Sequence, residues 1–133
     1  MFNAPKEMPK VIRSPQDAYD LLRFEIGYLQ YEVFVAIFLN TKNGVLGWEV
    51  LSQGSLNASI VHPREVFKKS VQYSSASILV GHNHPSNDPT PSPEDLRMTE
   101  RLVQAGNIMG IEVLDHIIVC ADRYISFKEQ GHL

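Results

Sequence analysis

Two histidines separated by one residue are the clearest sign of chemistry in this sequence. His82 and His84 follow the run Ser77–Gly81, which has the apolar composition of a buried strand. Because side chains alternate along a strand, both imidazoles should project to the same side. Asp95 follows at the predicted start of a helix, after a proline-rich loop that limits the freedom of the chain. The spacing therefore predicts that these three side chains meet and bind one metal ion.

Two imidazoles and one carboxylate are a typical ligand set for catalytic zinc. Three protein ligands leave the fourth tetrahedral position open, whereas a structural zinc site uses four protein ligands. Nitrogen and oxygen ligands suit Zn²⁺, although Co²⁺ or Ni²⁺ could enter the same site. We therefore expect one Zn²⁺ per chain, bound by His82, His84 and Asp95.

The same residues also have a purely structural interpretation. Ser92 can cap the helix whose first turn contains Asp95, because a hydroxyl at the N-cap and a carboxylate nearby both stabilise a helix N-terminus. His82 and His84 could be loop histidines that bond to the backbone. Each residue alone fits this interpretation, but the combined pattern His-x-His-x7-Ser-x2-Asp favours a metal site.

This pattern resembles the JAMM motif of the JAB/MPN zinc metalloproteases. Within that family the sequence is similar to the RadC branch, whose members are traditionally called DNA repair proteins. The resemblance covers nearly the whole chain and implies an α/β three-layer sandwich of the MPN/JAB, cytidine-deaminase-like type. The segments that carry it most specifically are Val61–Phe67, Gly81–Ser86 and Leu114–Val119.

The resemblance also implies a catalytic glutamate at the start of a central strand, far upstream of the histidines. Glu32 precedes the apolar run Val33–Leu39 and matches that position, and Glu49 on the next strand is the alternative. In the implied mechanism, Glu32 takes a proton from a metal-activated water and passes it to the leaving amine. Ser92 would donate a hydrogen bond to the developing oxyanion, a role that competes with helix capping.

The remaining histidines are predicted to be structural. His62 precedes a helix and His116 lies in an apolar run beside Asp115, which could hold a ligating histidine from outside the ligand set. His132 has no predicted role. Other zinc signatures are excluded, because no His-Glu-x-x-His segment occurs and a single cysteine, Cys120, cannot supply the Cys-x-x-Cys of base deaminases.

Alternating apolar runs and helix-start residues predict one α/β domain. Residues 1–13 are expected to form an extended N-terminal arm, followed by a RadC-like domain over 14–133. The Asn43-Gly44 turn predicts a hairpin, so the sheet should be mixed, with helices on both faces. The predicted helices are 14–29, 62–74 and 92 to 106–110, and the predicted strands are 33–39, 45–51, 59–61, 77–81, 111–120 and 124–127.

Charge, cysteine content and hydropathy limit the binding partners and the cellular compartment that we expect for this protein. The net charge is −3, and the 12 Lys and Arg residues are scattered along the chain, so we expect no strong binding to nucleic acid. A lone cysteine cannot form an internal disulfide. The longest unbroken apolar run, Val33–Leu39, is far shorter than the ~20 residues that cross a membrane. With no signal-peptide pattern in residues 1–13, the sequence predicts a cytoplasmic protein.

Three functions remain open at this point. The resemblance implies a zinc metalloprotease or related hydrolase that acts on a peptide or isopeptide-like amide, with a peptide or protein as substrate. The alternatives are a non-catalytic MPN-type protein-interaction module and a DNA-repair-associated factor. Longer RadC proteins carry an N-terminal helix-hairpin-helix region that this sequence does not contain, which weakens the expectation of DNA binding.

Overall fold

The computed structural model describes residues 10–54 and 61–133 and shows an α/β fold. Its elements are α1 (Pro15–Ile26), β1 (Val33–Leu39), β2 (Val45–Gln53), α2 (Pro63–Gln72), β3 (Ser77–Asn83), α3 (Pro93–Met109), β4 (Glu112–Val119) and β5 (Tyr124–Ser126). The strands form one mixed sheet in the order β2-β1-β3-β4-β5, in which β3 and β4 are parallel and the other pairs antiparallel. The predicted mixed sheet is confirmed. Within the described ranges, no helix is long and apolar enough to cross a membrane.

The central strand β1 is buried on both of its faces and separates two cores. One set of alternating residues, which includes Val35 and Ile37, packs against α1. The other set, which includes Phe34 and Phe38, packs against residues of α2 and α3. Helices therefore cover both faces of the sheet, as the apolar composition of β1 predicts.

Several element ends differ from the predicted ones by a few residues. Helix α1 ends at Ile26 rather than near residue 29. Gly27 follows Ile26, and glycine disfavours continuation of a helix. Strand β3 continues beyond Gly81 to Asn83, because β1 pairs with it as far as His82 and β4 as far as Asn83. Strand β2 continues to Gln53 rather than 51. Helix α3 ends at Met109, within the predicted range of 106–110.

The described part of the segment predicted as an arm contacts the rest of the fold. Ile12 is buried, and Val11 forms an isolated bridge with Gly44. Residues 1–9 of the predicted arm lie outside the described residues, as do residues 59 and 60 of the predicted strand 59–61. Val61, the last residue of that predicted strand, is not part of a strand.

Helix α3 approaches the start of β4 too closely for a side chain. Gly106 lies in the interior of this helix, where glycine is usually unfavourable. A Cβ atom there would collide with the backbone carbonyl oxygen of Ile111. Gly110 then ends the helix in the left-handed conformation, with φ of 72°.

We expect Gly106→Ala to destabilise the domain, although alanine favours a helix interior by about 1 kcal/mol over glycine. The free energy of unfolding should fall by about 1 to 3 kcal/mol, the usual cost of overpacking. Urea denaturation measures this change. The exposed neighbour Gln104 is the control, because Gln104→Ala should change the stability by less than about 0.5 kcal/mol. A stabilising Gly106→Ala would contradict the close approach.

Candidate metal centre

The predicted histidine pair meets the predicted aspartate at the C-terminal end of β3. His82 and His84 project to the same side, and their Nε2 atoms are 2.9 Å apart. Asp95, in the first turn of α3, points its carboxylate at both rings. Its Oδ1 is 3.3 Å from His82 Nε2, and its Oδ2 is 3.5 Å from His84 Nε2. The structure therefore brings all three predicted ligands together.

The separations of these atoms fit a tetrahedral metal ion. Zinc bonds of about 2.0 to 2.1 Å at tetrahedral angles place neighbouring ligand atoms about 3.3 Å apart. The two Nε2 atoms are 2.9 Å apart, and each lies 3.3 or 3.5 Å from an Asp95 carboxylate oxygen, Oδ1 for His82 and Oδ2 for His84. The donor set and its spacing therefore fit a divalent cation.

Hydrogen bonds on the far edges of the two rings leave both Nε2 atoms free to bind. His84 Nδ1 donates to the carbonyl oxygen of Asp88 at 2.8 Å, so its proton lies on Nδ1. His82 Nδ1 lies 2.8 Å from a ring nitrogen of His116. When both rings carry their proton on Nδ1, the two Nε2 atoms beside the Asp95 carboxylate need a cation between them, either a proton or a metal ion.

Asn83 sets the position of Glu32. Because it lies between the two histidines on β3, its side chain points to the opposite side of the strand. Its Oδ1 accepts a hydrogen bond from the backbone N–H of Val33 at 2.6 Å, and its Nδ2 donates to the carbonyl oxygen of Tyr31 at 2.9 Å. These two bonds fix the residues on either side of Glu32. Sequence reasoning missed this role, although alternation alone places Asn83 away from the histidines.

The structure brings Glu32, not Glu49, to the histidines. Glu32 Oε1 is 3.9 Å from His84 Nε2. Possible ligand atoms of Glu32, His82 and His84 all lie within 4.8 Å of one another, so a carboxylate from this residue could also bind the metal. The Glu49 carboxylate instead accepts a hydrogen bond from Tyr73 and lies 3.8 Å from the Lys69 ammonium, which holds it towards α2.

Ser92 and Asp95 form a capping box at the start of α3. Ser92 Oγ accepts a hydrogen bond from the Asp95 N–H at 3.1 Å, and Asp95 Oδ2 accepts one from the Ser92 N–H at 2.9 Å. The structural interpretation of these residues is therefore correct, and it coexists with the approach of Asp95 to the rings. Capping uses the oxygen of Ser92 as an acceptor, so its hydroxyl proton stays available to another acceptor.

His116, predicted to be only a structural histidine, contacts a candidate ligand directly. Its Nε2 lies 2.8 Å from His82 Nδ1, and its Nδ1 lies 2.6 Å from Thr99 Oγ1. Full burial lowers the pKa of His116 well below its ordinary value, which favours the neutral ring. No pattern in the sequence indicates this contact, because it depends on how β3 and β4 align.

Asp115 does not hold a ligating histidine. Its carboxylate accepts hydrogen bonds from the hydroxyl of Ser126 and the N–H of Lys128, as well as from the N–H of its neighbour His116. These bonds connect β4 to β5 and to the turn that follows β5.

The predicted structural role of His62 agrees with its position at the N-cap of α2, where its Nδ1 accepts a hydrogen bond from the backbone N–H of Arg64.

The ionisable side chains of the cluster shift one another's pKa values. Burial opposes ionisation of Asp95. Hydrogen bonds that its carboxylate accepts from His82 and His84, when a proton rather than a metal ion lies between them, outweigh burial and hold the pKa of the carboxyl group far below the ordinary value. Burial alone would lower the pKa of His84, yet the bonds to Asp95 and to the Asp88 carbonyl raise it. Burial also raises the pKa of Glu32. The cluster therefore contains a firmly ionised carboxylate and a second carboxylate that accepts protons more readily.

A mostly apolar open cleft of about 390 Å³ lies beside the cluster. Both Glu32 and His84 line it, so molecules that enter the cleft reach the edge of the candidate metal site. The other lining residues are Gln30, Tyr31, Pro85 and Ser86.

A known family matches almost the whole length of this chain. Residues 12–132 match the profile of the RadC-like JAB domain. The chain belongs to the RadC-like JAB family. The match confirms the resemblance that the motif suggested, and it spans every residue of the candidate metal cluster described above.

Relatives of this RadC-like JAB domain occur in several bacteria. The UPF0758 protein of Shouchella clausii is 60% identical over 121 residues, which cover 91% of this chain and 53% of that protein. The UPF0758 protein of Listeria welshimeri is 57% identical over 122 residues, 92% of this chain and 54% of that protein. The UPF0758 protein of Caldanaerobacter subterraneus is 54% identical over 121 residues, which cover 91% of this chain and 52% of that protein. The chain thus spans about half the length of the curated relatives that it matches.

We expect His84→Ala to abolish stoichiometric zinc binding, because it removes one of three closely spaced ligand atoms. Isothermal titration with ZnCl₂ measures the number of ions bound and their affinity. His132→Ala removes an exposed histidine outside the cluster and serves as the matched control. Equal zinc binding by His84→Ala and His132→Ala would contradict the site.

Proposed function

We propose that this RadC-like JAB domain is a zinc-dependent hydrolase that cleaves a peptide or isopeptide-like amide. The observation that carries the proposal is the spacing of His82, His84 and Asp95, with Glu32 beside them at the edge of an open cleft. In this proposal the three closely spaced residues bind one Zn²⁺ and Glu32 is not a ligand.

In the proposed reaction a zinc ion and the protein side chains would supply different chemistry. Bound zinc supplies Lewis acidity, which polarises a carbonyl group and lowers the pKa of water from 15.7 to about 7. His82 and His84 contribute neutral nitrogen donors, and Asp95 contributes one negative charge. Three protein ligands leave coordination open to the reactants, as catalytic zinc sites require.

Glu32 is suited to move the proton in this reaction. Burial raises the pKa of its carboxyl group, which brings it nearer to the operating pH of a general base. Its Oε1 is 3.9 Å from His84 Nε2, and the residue lines the cleft. In the proposed reaction it accepts a proton as water attacks the amide carbon, and it delivers that proton to the nitrogen as the carbon–nitrogen bond breaks.

Ser92 is suited to stabilise the charge that develops on the amide oxygen. The N–H of Asp95 bonds to the lone pair of the Ser92 hydroxyl, so the hydroxyl proton can point at an oxyanion while the cap stays intact. Capping and catalysis would therefore use different atoms of one group. This removes the conflict that the sequence alone suggests between the two roles.

The open cleft supports a chain-like substrate rather than a small enclosed ligand. Tyr31 and Pro85, the sequence neighbours of Glu32 and His84, also line the cleft and offer apolar surface there. The net charge of −3 does not favour the phosphate backbone of nucleic acids. We therefore propose a peptide or protein as substrate.

We expect Glu32→Gln to retain zinc and to lose about 10² to 10⁴ of the hydrolytic rate, because the ligands stay while the proton acceptor is removed. The rate is measured with fluorescein-labelled casein and with a fluorogenic peptide joined through a lysine isopeptide bond. Asp95→Asn, in contrast, should lose zinc and activity together.

Glu49→Gln is the matched control, since this glutamate faces α2 and should leave the rate nearly unchanged. Loss of zinc from Glu32→Gln would make Glu32 a ligand instead of the base. Zinc-loaded protein that cleaves neither probe would contradict the proposed substrate class and favour a non-catalytic module.

A further inference from the structure

A chain of buried hydrogen bonds lies behind the ring of His82, on the edge opposite its metal-facing nitrogen. His82 Nδ1 is 2.8 Å from His116 Nε2, and His116 Nδ1 is 2.6 Å from Thr99 Oγ1. The Thr99 hydroxyl donates to the carbonyl oxygen of Asp95 at 2.8 Å. His82, His116 and Thr99 are at most 2% exposed. The chain therefore starts at the backbone of one proposed ligand and ends at the ring of another.

These bonds have only one consistent direction when the rings are neutral. The single proton of the Thr99 hydroxyl goes to the Asp95 carbonyl, so its oxygen must accept the proton of His116 Nδ1. His116 Nε2 then has no proton and accepts one from His82 Nδ1. His82 is left with an unprotonated Nε2, which is the form that binds a metal ion.

The two candidate ligand histidines are thus oriented in different ways. His84 donates to a backbone carbonyl, which can only accept, so its tautomer is unambiguous. His82 faces another imidazole, whose nitrogen can either donate or accept. Thr99 removes this ambiguity, because it fixes the proton of His116 on the far nitrogen.

Packing also fixes the plane of the His116 ring. The ring stacks on Phe127, with centroids 4.3 Å apart and planes inclined by 16°. The edge of Phe34 meets it at 5.9 Å and 84°. His116 therefore has little freedom to rotate away from His82.

We propose that His116 and Thr99 are positioning residues of the metal centre, which hold His82 in the tautomer and orientation that present Nε2 to the ion. This inference rests on the proposed metal site and adds two residues that touch neither ion nor substrate. Ligating histidines usually donate their second N–H to a carboxylate, a carbonyl or water, and removal of that partner typically weakens metal binding 10- to 100-fold. Here a neutral imidazole takes the place of that acceptor.

Thr99→Val and Thr99→Ser form the decisive pair. Valine keeps the shape of the side chain but removes the acceptor of the His116 proton, so zinc affinity should fall about 10- to 100-fold. Serine keeps the hydroxyl and should bind zinc nearly as tightly as the original chain. Affinity is measured by competition with a chromophoric chelator at constant pH, and thermal denaturation confirms that both variants fold.

A second series changes the middle of the chain. His116→Leu removes the acceptor for His82 and should weaken zinc binding by a similar factor. In His116→Gln the terminal amide oxygen can reach the position of Nε2 and accept from His82, so part of the affinity should return. Thr99→Val and His116→Leu variants that fold and bind zinc like the original chain would overturn the inference, while the metal site itself would stand.

The position of the proton is measured separately in the unsubstituted chain. Long-range ¹H–¹⁵N correlation spectra distinguish the two neutral tautomers of His116, and we expect the proton on Nδ1. A proton on Nε2 would overturn the inference. This measurement decides the question even if the unsubstituted chain fails to bind zinc, a result that would contradict the proposed function.

Discussion

The alternation of three residues at the end of β3 is the constraint on which the site depends. His82 and His84 face one side of the strand, and Asn83 must therefore face the other. The two histidines reach towards α3, while the amide of Asn83 binds the backbone on both sides of Glu32. Because β3 is paired on both edges, this division of side chains is fixed by the sheet itself. One short segment thus positions the candidate ligands and the candidate base.

The start of α3 combines helix stability with the electrostatics of the site. The Asp95 carboxylate accepts the N–H of Ser92 and also faces the rings of His82 and His84. A carboxylate at a helix N-terminus is favoured by the helix dipole as well as by the capping bond. The negative charge that a metal ion needs is therefore held in place by interactions that the helix already requires.

Much of the fold and the candidate ligand set could be predicted from sequence. Period-two alternation placed His82 and His84 on one side, and helix-start residues placed Asp95 nearby. Glu32 was more difficult. The family resemblance and its place at the start of a strand favoured it over Glu49, and the structure separates the two by the partners that each carboxylate contacts. Element ends were less predictable, since pairing with neighbouring strands extends β3 beyond its apolar run.

The contact between His116 and His82 could not be predicted, because it depends on an irregularity between β3 and β4. Ile78 pairs with Val113, but Val80 pairs with His116, so β4 contains one extra residue in this stretch. Such an insertion reverses which side chains face each side of a strand. It turns His116 to the side that His82 occupies, and no pattern in the sequence of β4 marks it.

Each candidate ligand also makes a hydrogen bond to another residue, and these bonds affect the free energy of metal binding. Asp95 is held by Ser92, His84 by the Asp88 carbonyl and His82 by His116. Few side chains need to be ordered when an ion arrives, so little of the binding free energy is lost as conformational entropy. The two cores that enclose β1 are independent of the ion, in contrast to small zinc folds that collapse without it. Metal occupancy in this domain would then follow ion concentration by simple mass action and stabilise a framework that already exists.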